Sequence, residues 1–283
     1  MPPVNSIFLK GVIQETLPTD EQIAPYELHI NPTTGAMKLR KAGDDAFLDL
    51  GGGASSVPLT SGEFVTNGLV AGYKFTENAG QVLNDFSGNA FHGQLGSAPG
   101  IDANDPSWLT PRGLIFTPAG PSYVQIPAAA AFRLTGVLSV EAQFKWMDVT
   151  NGAIFDKTGG DVTNKNYQLH IAATGAITWR LVKGTVNQDL VGPLITVGAM
   201  YHVLCTYDGS QGAVWVDGVK SITRNIAAAP IDNVDGICRI GSLGGSVFPL
   251  TGIIYKLAVY NKALSPTEIS AAFLASKGDG VIS

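Results

Sequence analysis

The stretch Tyr201 to Ile226, YHVLCTYDGSQGAVWVDGVKSITRNI, admits few folds. Tyr201, Val203, Cys205 and Tyr207 recur at every second residue, with His202, Leu204 and Thr206 between them. That two-residue period belongs to a strand whose two faces meet different surroundings. Asp208-Gly209 breaks the run, and a second alternating run from Ala213 to Val216 ends at Asp217-Gly218. An Asp-Gly pair readily takes the positive φ angles of a type I′ turn, so a third strand is predicted from Val219 onward. Three antiparallel strands in one segment form a meander that cannot bury both sets of alternate side chains by itself. A second sheet must cover it.

The same residues carry a resemblance. HVLCTYDGSQGAVWVDGV resembles the signature hairpin of laminin-G-like, concanavalin-A-like jelly-roll domains, where a His-Val strand leads to Thr-Tyr-Asp-Gly and then to a Val-Asp-Gly turn. Further pieces stand in the matching order: GLVAGYKFTENAG, NDFSGNAFHGQL, GLIFTPAGPSYVQIP and LSVEAQFKW before it, CRIGSLGG and LTGIIYKLAVYNKALSPTEI after it. The resemblance implies an all-β, concanavalin-A-like antiparallel sandwich over residues 63–283. Its strands are expected at 69–75, 123–126, 138–146, 152–156, 167–172, 176–181 and 253–260, besides the meander. One helix closes it: Ser265-Pro266-Thr267-Glu268 is a capping box with Pro at the first helical position, Ile269, Ala272 and Phe273 form the apolar stripe, and Lys277-Gly278 ends it.

Composition narrows the function. Charged residues make up 14% and apolar residues 45% of the 283, and the net charge is −5 without long runs. Nothing there suits a nucleic-acid partner. The run from Ala128 to Phe132 is far too short to span a bilayer, and MPPVNSIFLK lacks the basic and apolar regions of a secretory signal, so neither membrane insertion nor secretion is expected. Cys205 and Cys238 read as two buried thiols, or as a disulfide if their strands are adjacent and the side chains face each other.

Residues 1–50 fall outside the jelly roll and read as a small β-meander, with strands at 6–13, 26–30, 36–40 and 46–50. A piece this small buries little surface and needs partners. Its layout, TDEQIAPYELHINPTTGAMKLRKAGDDAFLDL, resembles an N-terminal module of tailed-phage fibre, baseplate and other virion proteins, through Glu27-Leu28, Asn31, Thr34-Gly35 and Lys38 to Lys41. That resemblance implies attachment to other virion proteins, or a homo-oligomer, through residues 1–50. An ordinary hairpin extension is the alternative. Residues 51–62, beginning GGGASS, have the composition of a flexible linker.

Candidate sites follow from residue chemistry. Glycan hydrolysis on such sandwiches uses paired acids on one strand, but Glu141 and Asp156 each stand alone, so no enzyme is expected. His29, His92, His170 and His202 are scattered without metal-ligand spacing. Asp85 and Asn89, in the loop DFSGN, offer the hard oxygen ligands of a structural Ca²⁺, as in related domains. The acidic residue expected in the closing strand is replaced by Tyr255, beside Lys256, and a loop held by Asx-type hydrogen bonds is the alternative. Lectin-like sandwiches hold sugars on aromatic faces and polar loop groups. Trp108, Tyr167 and Trp179 beside Arg180 are the ligand-binding candidates, with packing at the core edge or across strands as the alternative. Trp146 and Trp215 read as core packing. The sequence therefore points to a non-enzymatic phage protein at the virion surface, whose lectin-like jelly roll binds host-surface polysaccharide. Two alternatives stand beside it: a structural capsid or tail decoration protein, and a cellular adhesin or hydrolase.

Overall fold

The structure, a computed structural model, describes residues 26–30, 37–41, 47–49, 59–60, 64–158, 165–184, 186–226, 230–232 and 236–278. The chain divides into two compact units, Met1–Val57 and Pro58–Ser283.

In the first unit, β1 (Tyr26–Ile30), β2 (Met37–Lys41) and β3 (Phe47–Asp49) form a three-stranded antiparallel sheet in chain order. Ile30 stands opposite Met37. The strand expected at 6–13 and most of the expected linker lie outside the described residues.

The second unit opens with two short pieces, β4 (Leu59–Thr60) and β5 (Phe64–Val65), which pair with each other. Then come β6 (Leu69–Tyr73), β7 (Val82–Leu83), β8 (Gly93–Leu95), β9 (Ser107–Trp108), β10 (Leu114–Phe116), β11 (Val124–Ile126), β12 (Leu138–Trp146) and β13 (Gly152–Thr158). The remainder are β14 (Lys165–Ile171), β15 (Ala176–Lys183), β16 (Val186–Leu194), β17 (Met200–Tyr207), β18 (Gln211–Val216), β19 (Val219–Asn225), β20 (Cys238–Ile240), β21 (Gly252–Tyr260) and the helix α1 (Pro266–Gly278). They build two eight-stranded antiparallel sheets. The first runs β19-β18-β17-β12-β21-β10-β9, with β6 also on β21, and the second runs β16-β15-β14-β13-β20-β11-β8-β7. The predicted meander is β17-β18-β19. Its second turn has φ of 50° at Asp217 and 78° at Gly218, the two positive angles a type I′ turn requires.

Alternation fills the space between the sheets. Leu138, Val140, Ala142 and Phe144 of β12, with Val203, Cys205 and Tyr207 of β17, meet Phe155, Tyr167, Leu169, Trp179, Cys238 and Ile240 of the second sheet, all fully buried. The two cysteines are unpaired and sit in different sheets. Burial pushes the Cys205 thiol well up and raises that of Cys238 as well, so neither is a thiolate at neutral pH.

The outward side of the first sheet is covered over β12, β17 and β21. Ser139, Glu141, Gln143, His202 and Lys256 point away from the core but are almost completely buried, beneath α1 and Phe64. Gln143 Nε2 donates to the Ser276 carbonyl of α1, and the His202 and Phe273 rings lie 5.7 Å apart. The predicted capping box starts the helix: Ser265 N and Oγ donate to Glu268 Oε2, and Glu268 N donates back to Ser265 Oγ.

Candidate functional site: the outward face of the second sheet

Outward positions of the second sheet carry hydrogen-bonding side chains that fall into one lateral row. Gln94 of β8 stands opposite Gln125, Gln125 opposite Arg239, Arg239 opposite Asp156, Asp156 opposite Gln168, Gln168 opposite Arg180 and Arg180 opposite Asp189. Each is an alternation partner of a core residue, so the period that builds the interior also builds this row. Six steps at roughly 4.8 Å between neighbouring strands make it about 29 Å long from end to end.

The row is largely fixed in place. Gln94 Nε2 donates to the carbonyls of Gln81, Leu95 and Ala98, and Gln125 Nε2 to that of Gly96. Asp156 Oδ1 accepts from Gln168 Nε2 at 2.9 Å, and Oδ2 from the Gly244 N–H at 3.2 Å. Arg180 grips Asp189 with two bonds of 2.6 and 2.7 Å. Burial would raise the Asp189 carboxyl, but the Arg180 hydrogen bonds and charge hold it below its ordinary value. A glycine-rich hairpin over residues 241–250 folds back on the face through Gly244 and sets Phe248 against His170, ring centres 6.0 Å apart. Asp156 and Gln168 are consequently 1% and 2% exposed, while Arg239, Gln125, Gln94 and Arg180 stay partly open at either side.

Of the candidate residues, only Arg180 belongs to this row. Tyr167 and Trp179 are corrections: both are fully buried between the sheets, with rings 6.2 Å apart and Tyr167 Oη donating to the Phe132 carbonyl. They sit on the inward parity of β14 and β15, so neither offers a face to a ligand. Trp108 lies half-buried at the rim of the first sheet and donates through Nε1 to the Gly80 carbonyl. Trp215 also departs from expectation: it projects from the outward side of β18, partly exposed, with Lys220 Nζ 4.8 Å from its ring centre. Asp156 is visible in the sequence only as a lone acid, and no two members of the row adjoin in sequence. Their one signal was a polar residue at each outward strand position.

The calcium candidates do not fit a cation. Asp85 Oδ1 accepts from the Gly72 and Ser87 N–H groups, and Oδ2 from Ser87 Oγ and the Phe91 N–H. Four donors fill the lone-pair positions of the carboxylate. Asn89 turns its amide nitrogen to the Val70 carbonyl. Tyr255 uses its carbonyl to hold Arg112 Nε, and Lys256 reaches Glu141 at 2.6 Å. The loop is thus held by Asx-type bonds, and among the described residues no cluster of three or more His, Cys, Asp or Glu could hold a metal.

Hydrolytic geometry is likewise missing from the row. Asp156 and Asp189 stand three strands apart, roughly 14 Å at 4.8 Å per step, beyond the roughly 5–9.5 Å that separates the acid pairs of glycosidases.

No curated protein matches the chain. Among solved structures, the botulinum neurotoxin DC binding domain in complex with SialylT is similar at 13% identity and a TM-score of 0.56, over 74% of this chain and 52% of that one. The binding domain of botulinum neurotoxin serotype G gives 9% and 0.58, over 74% and 51%. That of Paraclostridial mosquitocidal protein 1 gives 12% and 0.56, over 74% and 52%. The chain thus covers about half the length of these structures, and at such identities the likeness concerns the fold. The family model for Laminin_G_3, described as concanavalin A-like lectin/glucanases superfamily, matches residues 118–270, which include β11 through β21. By that match the chain belongs to the concanavalin A-like lectin/glucanases superfamily.

Proposed function

We propose that the protein is a non-enzymatic glycan-binding module carried on the surface of a tailed-phage virion, with the jelly roll meeting host-surface polysaccharide and the N-terminal strands meeting other virion proteins. The observation that carries the binding half is the lateral row from Gln94 to Asp189, an ordered line of amides, carboxylates and guanidinium groups without a catalytic acid pair. Such planar polar groups suit sugar hydroxyls. The structural neighbours named for sialylated or N-acetylneuraminic acid ligands are binding domains, which supports the same reading. Virion display rests on the resemblance of the N-terminal module, residues 1–50, to phage modules. Millimolar affinity per site would suffice there, because many copies on one particle multiply avidity.

A protein-contact role has its own observation. Edge strand β16 exposes Val186, Val191 and Leu194, at 58, 55 and 71%, and apolar edges of this kind favour protein partners. A host-polysaccharide array probed with the full chain, paired with localisation of the chain on assembled particles, separates these readings. Glycan binding with the jelly roll facing outward is expected. Blank wells together with jelly rolls buried between neighbouring subunits would replace the lectin reading with a decoration role.

A further inference from the structure

Arg239 differs from every other member of the row. Arg180 is closed by Asp189, Gln94 and Gln125 donate to loop carbonyls, and Asp156 is engaged by Gln168 and Gly244. Arg239 Nε and Nη1 are shut off from solvent and donate to nothing. The face of Tyr123 lies 5.7 Å from the guanidinium carbon, and Asp156 stands directly across the ladder. A guanidinium carries five N–H donors and stays charged at any biological pH. Half-buried donors without an acceptor are destabilising and call for a partner from outside the fold.

The hairpin above it is anchored at its base, where the Ala153 N–H donates to the Phe248 carbonyl at 2.9 Å and the Leu250 N–H to the Gly241 carbonyl at 2.8 Å, and it meets the row only at its tip. Gly244 holds the sheet through one 3.2 Å bond, at the long end of the normal range. Gly245 sits at φ +96°, where a Cβ would be strained and would stand 3.5 Å from Arg239 Nε, so glycine there leaves the flank of the guanidinium free of side chain. Gln125 and Gln94 follow Arg239 along the row; their Nε2 groups are taken by loop carbonyls, so it is their Oε1 atoms that can accept from neutral hydroxyls.

We infer that Arg239 anchors the carboxylate of an acidic saccharide on this face, with Gln125 and Gln94 alongside the neighbouring sugar. A planar carboxylate meets a guanidinium in two parallel charge-assisted bonds. Arg239 already faces the Asp156 carboxylate across the ladder, so its single guanidinium suits one further carboxylate rather than the nearly two negative charges of a phosphomonoester. The inference rests on the glycan-binding reading of the face and specifies its ligand class.

The test titrates the full-length protein, and its Arg239→Lys and Arg239→Gln variants, with uronate- and sialate-bearing oligosaccharides and with the same sugars after carboxyl reduction. Charge-assisted bonds are worth about 1.5–3 kcal/mol, so reducing the carboxyl weakens wild-type binding by roughly tenfold or more. Arg239→Gln loses the same factor, and Arg239→Lys keeps part of it. Arg239→Gln leaves the melting temperature unchanged or higher, because it removes an unsatisfied donor group. Equal binding of acidic and reduced sugars, unaffected by Arg239→Gln, overturns the inference and leaves the glycan face standing. No binding of either form overturns both. A clear drop in melting temperature for Arg239→Gln makes the residue structural and also overturns the inference.

Discussion

Replacing Glu141 with Gln probes the buried ionic cluster beneath the C-terminal helix. Glu141 is wholly buried; Oε1 meets Lys256 Nζ at 2.6 Å and His202 Nε2 at 2.9 Å, and Oε2 accepts from Tyr260 Oη at 2.6 Å. Burial alone would raise this carboxyl, but Lys256, then the His202 bond and charge, hold it at about 2 against an ordinary 4.5. A depression of about 2.5 pH units at 1.36 kcal/mol each corresponds to roughly 3 kcal/mol of folding stability. Because the folded value lies below the unfolded one, that stability is fully present above pH 4.5 and drains away as pH falls toward 2. Glu141→Gln also strands the ammonium of Lys256, which is 0% exposed, and breaking a buried pair in this way costs about 3–5 kcal/mol. Denaturant melts at pH 7 measure the difference, since the midpoint falls while the slope stays constant. Glu141→Gln with Lys256→Met recovers most of the loss, because an apolar residue removes the buried ammonium that has lost its carboxylate. As pH drops from 4.5 to 2, the gap between wild type and Glu141→Gln closes. A pH 7 difference below about 0.5 kcal/mol, or a gap that stays constant with pH, would refute the assignment of this cluster as a mutually supported ion network.

Other outcomes follow from the same packing and hydrogen bonds. Tyr167→Phe removes the 3.0 Å bond to the Phe132 carbonyl, lowers stability by about 1 kcal/mol and leaves glycan binding unchanged; a binding change at unchanged stability would return Tyr167 to the ligand surface. Glu268→Ala removes the capping box and its 2.7 Å bond to Lys262, and denaturant melts register a loss of about 0.5–2 kcal/mol. Millimolar Ca²⁺ added to chelator-treated protein leaves the melting temperature unchanged, because the Asp85 oxygens are already filled by four donors; a rise of several degrees would restore the cation. A thiol reagent labels both cysteines of the unfolded, non-reduced protein.

The sandwich was legible because its signals are local. The alternation from Tyr201 to Tyr207, the Asp217-Gly218 turn and the Ser265 to Glu268 cap each specify structure within a few residues, and each appears in the fold. Parity was harder to read. Tyr167 and Trp179 have the chemistry of sugar-stacking residues, but their inward positions on β14 and β15 turn them to the core. Trp215 has the alternation of a core residue yet occupies the outward side of β18. Which parity of a strand faces inward is set by its partners, and those lie far off in sequence. The same holds for the polar row: Gln94 and Asp189 belong to one line only because β8 and β16 end up in one sheet. Glu141, an isolated acid in the sequence, has its partners at positions 202, 256 and 260.

Mapping backbone amide shifts of the full chain during titration with a bound host-type oligosaccharide tests the binding face most directly. The account predicts changes gathered at Gln94, Gln125, Gln168, Arg180 and Arg239 and along the hairpin over residues 241–250. Changes gathered instead at the Asp85 to Phe91 loop, or around Trp108 at the rim of the first sheet, would contradict it.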